Sequence, residues 1–323
     1  MIAGSGGKQG RRIVIGMVVA VLVYVALILV AGLDEVIRGA GLLSAGNWIL
    51  LLGLTLLHFA LRFWRWTLYL THLGRSVPPV RNLLIYMSGF ALTTTPGKVG
   101  ETWRSVYLQP HGIPYSETMA CFFAERYADL VVIMLLSLLV VGQFGSALWP
   151  LVLGCLLLLG LLLGLRHPRL PDVLERLQRR TRSTPLTAVL KGLKQLLRAA
   201  SRLLGLRSIG SGTLIGLLAW GAQGLILHMV LMLMGAPVPP AVAVGIYALG
   251  LLAGALSFLP GGLGSTEAVM VLSLVALGVD AATAAAATLV CRVATLWFAV
   301  LLGLLAVFAL QLSRPAQNPV DAD

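Results

Sequence analysis

The chain has 323 residues, 58% hydrophobic and 11% charged, with a mean hydropathy of +0.93 and a formal net charge of +12. Soluble domains carry roughly 25% charged residues, so the composition excludes a soluble enzyme and points to an all-α integral membrane protein. In such a chain the basic excess reflects cytoplasmic loops and attraction to anionic lipid heads rather than nucleic acid.

The first apolar run, 13–32, is too long for the core of a signal peptide and lacks a cleavage site. It reads as a permanent first helix, with Lys8, Arg11 and Arg12 holding the N-terminus in the cytoplasm. Asp34, Glu35 and Arg38 follow it, outside. A second span covers 47–70, and Arg62, Arg65, Arg75 and Arg81, at or after it, fall on the cytoplasmic side. The segment 82–109 is apolar up to Pro96. It breaks at the Pro-Gly of TTTPGKVGETWRS (93–105), which carries Lys98, Glu101 and Arg104, and then resumes. A third span, 116–141, contains AERYAD with Glu125, Arg126 and Asp129. The uncharged GQFGSA places the next connection outside, before a fourth span at 147–165.

The stretch 166–207 holds eleven Lys or Arg against Asp172 and Glu175, which marks it cytoplasmic. It reads either as a solvated topogenic loop or as basic amphipathic helices on an anionic leaflet. A fifth span, 209–234, leads to GAPVPP outside. The segment 241–278 is again apolar on both sides of a turn, LPGGLGSTE, and the sixth span, 282–312, carries Arg292 and precedes the cytoplasmic Arg314.

If 82–109 or 241–278 crossed the membrane once, the Lys/Arg bias of every later loop would invert. Re-entrant hairpins preserve it. A turn at membrane depth leaves backbone groups unpaired and is tolerated only in protein or beside a wet cavity. Pro96-Gly97-x-x-Gly100 aligns with Pro260-Gly261-x-x-Gly264 at an offset of 164, and Arg126 with Arg292 at 166. The expected architecture is six transmembrane helices plus two re-entrant helical hairpins, arranged as an inverted repeat of 13–141 and 147–312 within one membrane domain.

Arg126 and Arg292 each lie about ten residues into a span, roughly 15 Å deep. Ionisable groups at that depth are functional candidates by default. Lys98, Arg104, Arg126 and Arg292 stand against Glu101, Glu125, Asp129 and Glu267, so mutual neutralisation competes with ligand binding. The stretches 100–109 and 265–278 are expected to begin half-helices whose N-termini, the second capped by Ser265 or Thr266, favour an anion such as phosphate. His58 and His228 read as packing residues, and Cys121, Cys155 and Cys291 as small residues within helices. No metal site, cofactor motif, nucleotide loop or nucleophile elbow is found.

TPGKVGETWRS, ERYADL and LPGGLGSTEAV, within a likeness over about 13–312, resemble the lysylphosphatidylglycerol synthase transmembrane-region family, also called flippase-like domain proteins. The resemblance implies a fold that moves a lipid between leaflets. The matching positions are Pro96, Gly97, Lys98, Gly100, Glu101, Arg104, Glu125, Arg126, Asp129, Pro260, Gly261, Gly262, Gly264 and Glu267. In the aminoacyl-lipid synthases this region precedes a soluble transferase domain. Only eleven residues follow the sixth span here, so a membrane unit without that domain is expected. Lipid translocation in the cell inner (cytoplasmic) membrane is the leading expectation, with an anionic phospholipid or polyprenyl-phosphate-type lipid bound at the two turns. A membrane-embedded transferase and an accessory protein partnering lipid-synthesis enzymes are the alternatives.

Overall fold

The computed structural model describes Ile37 and residues 41–141, 148–165, 169–180, 184–257 and 259–313. The expected first span, 13–32, the GQFGSA connection and both termini lie outside the described residues. Every regular element among the described residues is helical. Three helices are long and apolar enough to cross a membrane: Ala45–His72, Leu206–Leu233 and Ala281–Leu312. The outer surface suits hydrocarbon rather than water. On Leu148–Leu165 alone, Leu153, Leu156, Leu157, Leu161 and Leu163 are exposed, an apolar face that a water-soluble monomer does not present.

The first long helix, α1 (Ala45–His72), starts where the Ser44 side chain accepts from the Asn47 amide. Its inward face carries Thr55, His58, Arg62, Arg65 and Tyr69, all buried and spaced by three or four residues. That period keeps one stripe of a helix turned to the interior. A short helix α2 (Pro79–Ser88) follows, with proline at its first turn, where no amide donor is needed. It tightens into a 3-10 turn at Gly89–Leu92 and a second at Pro96–Trp103, then gives way to α3 (Arg104–Leu108). The regular half-helix expected over 100–109 is therefore α-helical only from Arg104. Gly97 and Lys98 have φ of 61° and 56°, and the Gly100 amide donates to Thr95 Oγ1 at 2.7 Å, so the chain leaves the turn in 3-10 form.

After α4 (Tyr115–Val141) and α5 (Leu148–Leu165), the basic stretch forms two helices, α6 (Arg169–Arg180) and α7 (Thr184–Leu203). Helix α7 lies against α4. The long α8 (Leu206–Leu233) leads into α9 (Pro240–Leu256), a turn at Pro260–Gly262, and α10 (Ser265–Ala276). The last long helix joins α11 (Ala281–Arg292), a π turn (Val293–Trp297) and α12 (Phe298–Leu312). In that π turn the Ala294 carbonyl accepts from Thr55 Oγ1 of α1 at 2.9 Å.

The packing pairs cross between the two halves. Helix α1 packs on α8, α4 on α9, and α2 on α12. Glycines permit the close approaches. A Cβ at Gly303 of α12 would strike the backbone of Phe90 and Ala91, and one at Gly245 of α9 would meet Val140 of α4 at 2.7 Å. The Pro96 and Pro260 turns touch each other, with the Gly261 Cβ direction 3.3 Å from Thr94 Cα.

Candidate functional site

The polar residues of the interior converge on the junction of the two turns. Arg104 is fully buried between two carboxylates, donating from Nη2 to Glu101 Oε2 at 2.9 Å and from Nη1 to Glu125 Oε2 at 3.1 Å. Its guanidinium lies against two adjacent rings, Trp66 and Tyr86, 4.6 and 4.8 Å from their centroids. A planar cation with five donors can stack there and bridge both carboxylates, and a lysine cannot. Glu101 also accepts from Thr93 Oγ1 at 3.1 Å. With both carboxylates so engaged, Arg104 ties the first turn to α4.

Asp129 gathers the other cations of this half. It accepts from Arg65 Nη2 at 2.5 Å, Arg62 Nη2 at 3.5 Å and Trp220 Nε1 at 3.0 Å. Arg126 Nη2 is 2.9 Å from Asp129 Oδ2 and 3.6 Å from Glu101 Oε2, near enough for ion pairing but not aligned as a hydrogen bond. Arg62 and Arg65, read from the sequence as charges at or after the second span on the cytoplasmic side, are here part of the paired interior. Both are buried, at 3% and 0% exposure. Space for Arg65 comes from α8, where a Cβ at Gly216 would lie 3.1 Å from Arg65 Nη1. The signal was present in the Thr55, His58, Arg62, Arg65 stripe, which a topology reading of charges passes over.

The second half is simpler. Arg292 donates from Nε to Glu267 Oε1 at 2.6 Å and from Nη2 to the Gly261 carbonyl at 3.2 Å. Glu267 also accepts from the Gly264 amide through Oε2 at 2.6 Å. The expectation that Ser265 or Thr266 caps this helix is corrected: the cap contact to Gly264 comes from Glu267. Ser265 Oγ instead donates to the Gly262 carbonyl at 3.1 Å and shares a hydrogen bond with Ser257. A carboxylate thus already occupies the anion-favouring end of α10.

The two turns share a backbone device. Gly97 and Gly261 both take left-handed φ, 61° and 64°, and so do the residues after them, Lys98 at 56° and Gly262 at 66°. At Gly262 no side chain fits, because a Cβ would lie 2.8 Å from Gly254 Cα and from Thr266 Oγ1. At the matching place in the first turn stands Lys98, the one non-glycine residue with positive φ among those described. Such conformations are strained for a side-chain-bearing residue and concentrate at functional sites. The strain directs an ammonium into a cavity.

That cavity, of about 340 Å³, is lined by Lys98, Arg126, Asp129, Trp220 and Arg292 together with the apolar Leu130, Ile133, Leu251, Leu256, Leu259 and Leu296. Leu256 and Leu259 are 68% and 46% exposed on the outer surface. A smaller cavity of about 40 Å³ shares Lys98, Trp220 and Arg292 and adds His58, Arg62 and Gln223. Lys98 Nζ is 5.6 Å from the Trp220 ring centroid and has no carboxylate within ion-pair distance among the described residues. His58 Nδ1 meets the Ala219 carbonyl at 2.9 Å and must donate to it.

Of the expected site residues, Gly97, Lys98, Arg126, Asp129, Gly261, Gly262 and Arg292 line the larger cavity. Glu101, Arg104 and Glu125 stand behind it as a buried support, and Glu267 orients Arg292. Gly100 is held by close packing, since a Cβ there would meet Leu92 Cβ at 2.5 Å. Among the described residues no group of three His, Cys, Asp or Glu side chains is disposed to hold a metal ion.

A family model described as the lysylphosphatidylglycerol synthase TM region matches residues 13–303. The chain is also similar to a UPF0104 membrane protein of Methanothermobacter thermautotrophicus, 27% identical over 304 residues, a likeness covering 88% of this chain and 89% of that relative.

Proposed function

Because the chain belongs to the lysylphosphatidylglycerol synthase TM region family, we propose that it is a lipid translocator whose central cavity binds a phosphate-bearing head group. The observation that carries this reading is the mixed lining of the cavity, which brings Lys98, Arg126 and Arg292 together with apolar residues that include the exposed Leu256 and Leu259. A head group would sit among Lys98, Arg126 and Arg292 while its chains leave past the leucines into the bilayer. At about 340 Å³ the space suits a head group and not two acyl tails.

The architecture supports the same reading. Helices α9 and α10, at 17 and 12 residues, reach only about 25 and 18 Å, short of the roughly 30 Å hydrocarbon core. Re-entrant hairpins account for that length. The exchanged packing of α1 with α8, α4 with α9 and α2 with α12 fits an inverted repeat, the second half turned over on the first. With the Lys/Arg bias of the loops, this favours six spans in an inner membrane and both termini in the cytoplasm. Rocking one half against the other would expose the cavity to each side in turn.

The test is head-group movement in proteoliposomes containing the full chain and a fluorescent lipid phosphate, with external dithionite as quencher. Reconstituted protein should accelerate the loss of inner-leaflet fluorescence. Arg126→Gln and Arg292→Gln, verified as folded by thermal unfolding, should slow it at least tenfold. Stable variants that move lipid at the wild-type rate would put transport elsewhere in the molecule.

A further inference from the structure

We propose that the cavity selects a phosphate monoester in its dianionic form, carried on a lipid, and that Lys98 discriminates it from a phosphodiester. The inference rests on the head-group reading above and names its substrate class.

Charge balance is the first support. Among the described residues, the buried Arg62, Arg65, Arg104 and Arg292 are matched by the buried Glu101, Glu125, Asp129 and Glu267, and the partly exposed Lys98 and Arg126 add two positive charges at the cavity wall. The sequence count of four against four omitted Arg62 and Arg65. Two cations in excess on a cavity wall focus a positive potential there, so the arrangement is suited to a ligand that supplies the missing negative charge.

Unsatisfied donors are the second. Arg62 Nε, Arg126 Nε and Arg126 Nη2 are buried without a hydrogen-bond acceptor. Buried polar atoms in folded proteins nearly always have one. Arg62 lines the smaller cavity and Arg126 the larger, and Lys98 faces both. An anion at the Lys98 junction would supply acceptors to cations on two sides.

The chemistry of the ligand follows. A phosphate monoester carries about −1.5 to −2 charge at pH 7 and three acceptor oxygens. A phosphodiester carries one charge and two free oxygens, leaving one positive charge uncompensated. A cationic or zwitterionic head group brings an amine, yet each of the four carboxylates is already engaged: Glu101 and Glu125 by Arg104, Asp129 by Arg65 and Trp220, Glu267 by Arg292 and the Gly264 amide. Lys98 is the cation least committed to a protein partner, and its left-handed backbone is kept where the second turn uses glycine. The selecting charge therefore belongs to Lys98.

The experiment is titration of the purified full chain in detergent, at pH 7.5 and 5.5. The probes are dioleoyl phosphatidic acid, farnesyl phosphate, dioleoyl phosphatidylglycerol, dioleoyl phosphatidylethanolamine and inorganic phosphate. At pH 7.5 the two monoester lipids should bind on the order of tenfold more tightly than phosphatidylglycerol, about 1.4 kcal/mol. The advantage should shrink at pH 5.5, where the second phosphate proton, with a pKa of about 6, returns. Lys98→Gln should erase it, weakening both monoesters at least tenfold and phosphatidylglycerol by a smaller factor. The better of the two monoesters identifies a diacyl or an isoprenoid chain. Equal binding of phosphatidic acid and phosphatidylglycerol at both pH values would overturn the selectivity and leave the head-group reading standing. Inorganic phosphate competing as well as either lipid would overturn a lipid ligand. Lipid binding indifferent to both Arg126→Gln and Arg292→Gln would overturn the cavity reading together with this one.

Discussion

The turn at Pro96 and the turn at Pro260 bend the chain in the same way and carry opposite burdens. Each has a Pro-Gly pair followed by a second left-handed residue. Around the second turn one arginine meets one carboxylate, which also caps the helix it begins, so that half is electrically closed. Around the first turn five cations meet three carboxylates, and Lys98 takes the conformation that Gly262 takes opposite. Backbone geometry and charge load are therefore separable: the turn makes the cavity, and the residues hung on it decide what the cavity attracts.

Substitutions at four positions break or sharpen this contrast. Arg104→Ala has the largest expected effect, a loss of about 3–5 kcal/mol in unfolding free energy, because it strands the buried carboxylates of Glu101 and Glu125. Arg104→Lys should recover little of it, since an ammonium cannot bridge both carboxylates while covering the rings of Trp66 and Tyr86. Denaturant unfolding in detergent measures both; a fully stable Arg104→Ala would mean the first turn is anchored by something else.

Next in size is Gly262→Ala. Its Cβ meets Gly254 and Thr266 at 2.8 Å and the backbone is left-handed, so a loss of about 1–3 kcal/mol is expected. The reciprocal change, Lys98→Gly, should leave stability unchanged or raise it by up to ~1 kcal/mol as strain is relieved, while lipid-phosphate binding falls. Thermal unfolding and binding measured on the same sample separate the two effects. A destabilised Lys98→Gly would show that the ammonium holds the turn together rather than waiting for a ligand.

The smallest effect belongs to the rim. Arg75 and Glu117 form a bidentate pair, at 2.7 and 2.9 Å, between the α1–α2 connection and the start of α4. The hydrogen bonds to Glu117 hold the Arg75 guanidinium above its ordinary pKa, so it stays charged at any working pH. With the Arg75 side chain 36% exposed, solvent screening limits Arg75→Ala to roughly 0.2–1 kcal/mol. An effect as large as that of Arg104→Ala would show that the rim, too, anchors the first turn.

The sequence by itself determined the long helices and the two turns. The expected segments 47–70, 116–141, 209–234 and 282–312 fall on α1, α4, α8 and the α11–α12 helix, because apolar run length and helix-breaking Pro-Gly are local properties. It also supplied most cavity residues, because charges within apolar runs are rare and costly. What it could not determine was partnership. Arg62 and Arg65 look like topogenic charges until α4 brings Asp129 against α1, and Glu267 looks like a ligand group until it folds back onto Gly264. Whether a buried charge is paired depends on residues 64 to 67 positions away on other helices, a distance no local pattern spans. Only the tertiary structure therefore decided that the buried charges among the described residues balance four to four, and that Lys98 and Arg126 are left as the surplus cations at the cavity wall.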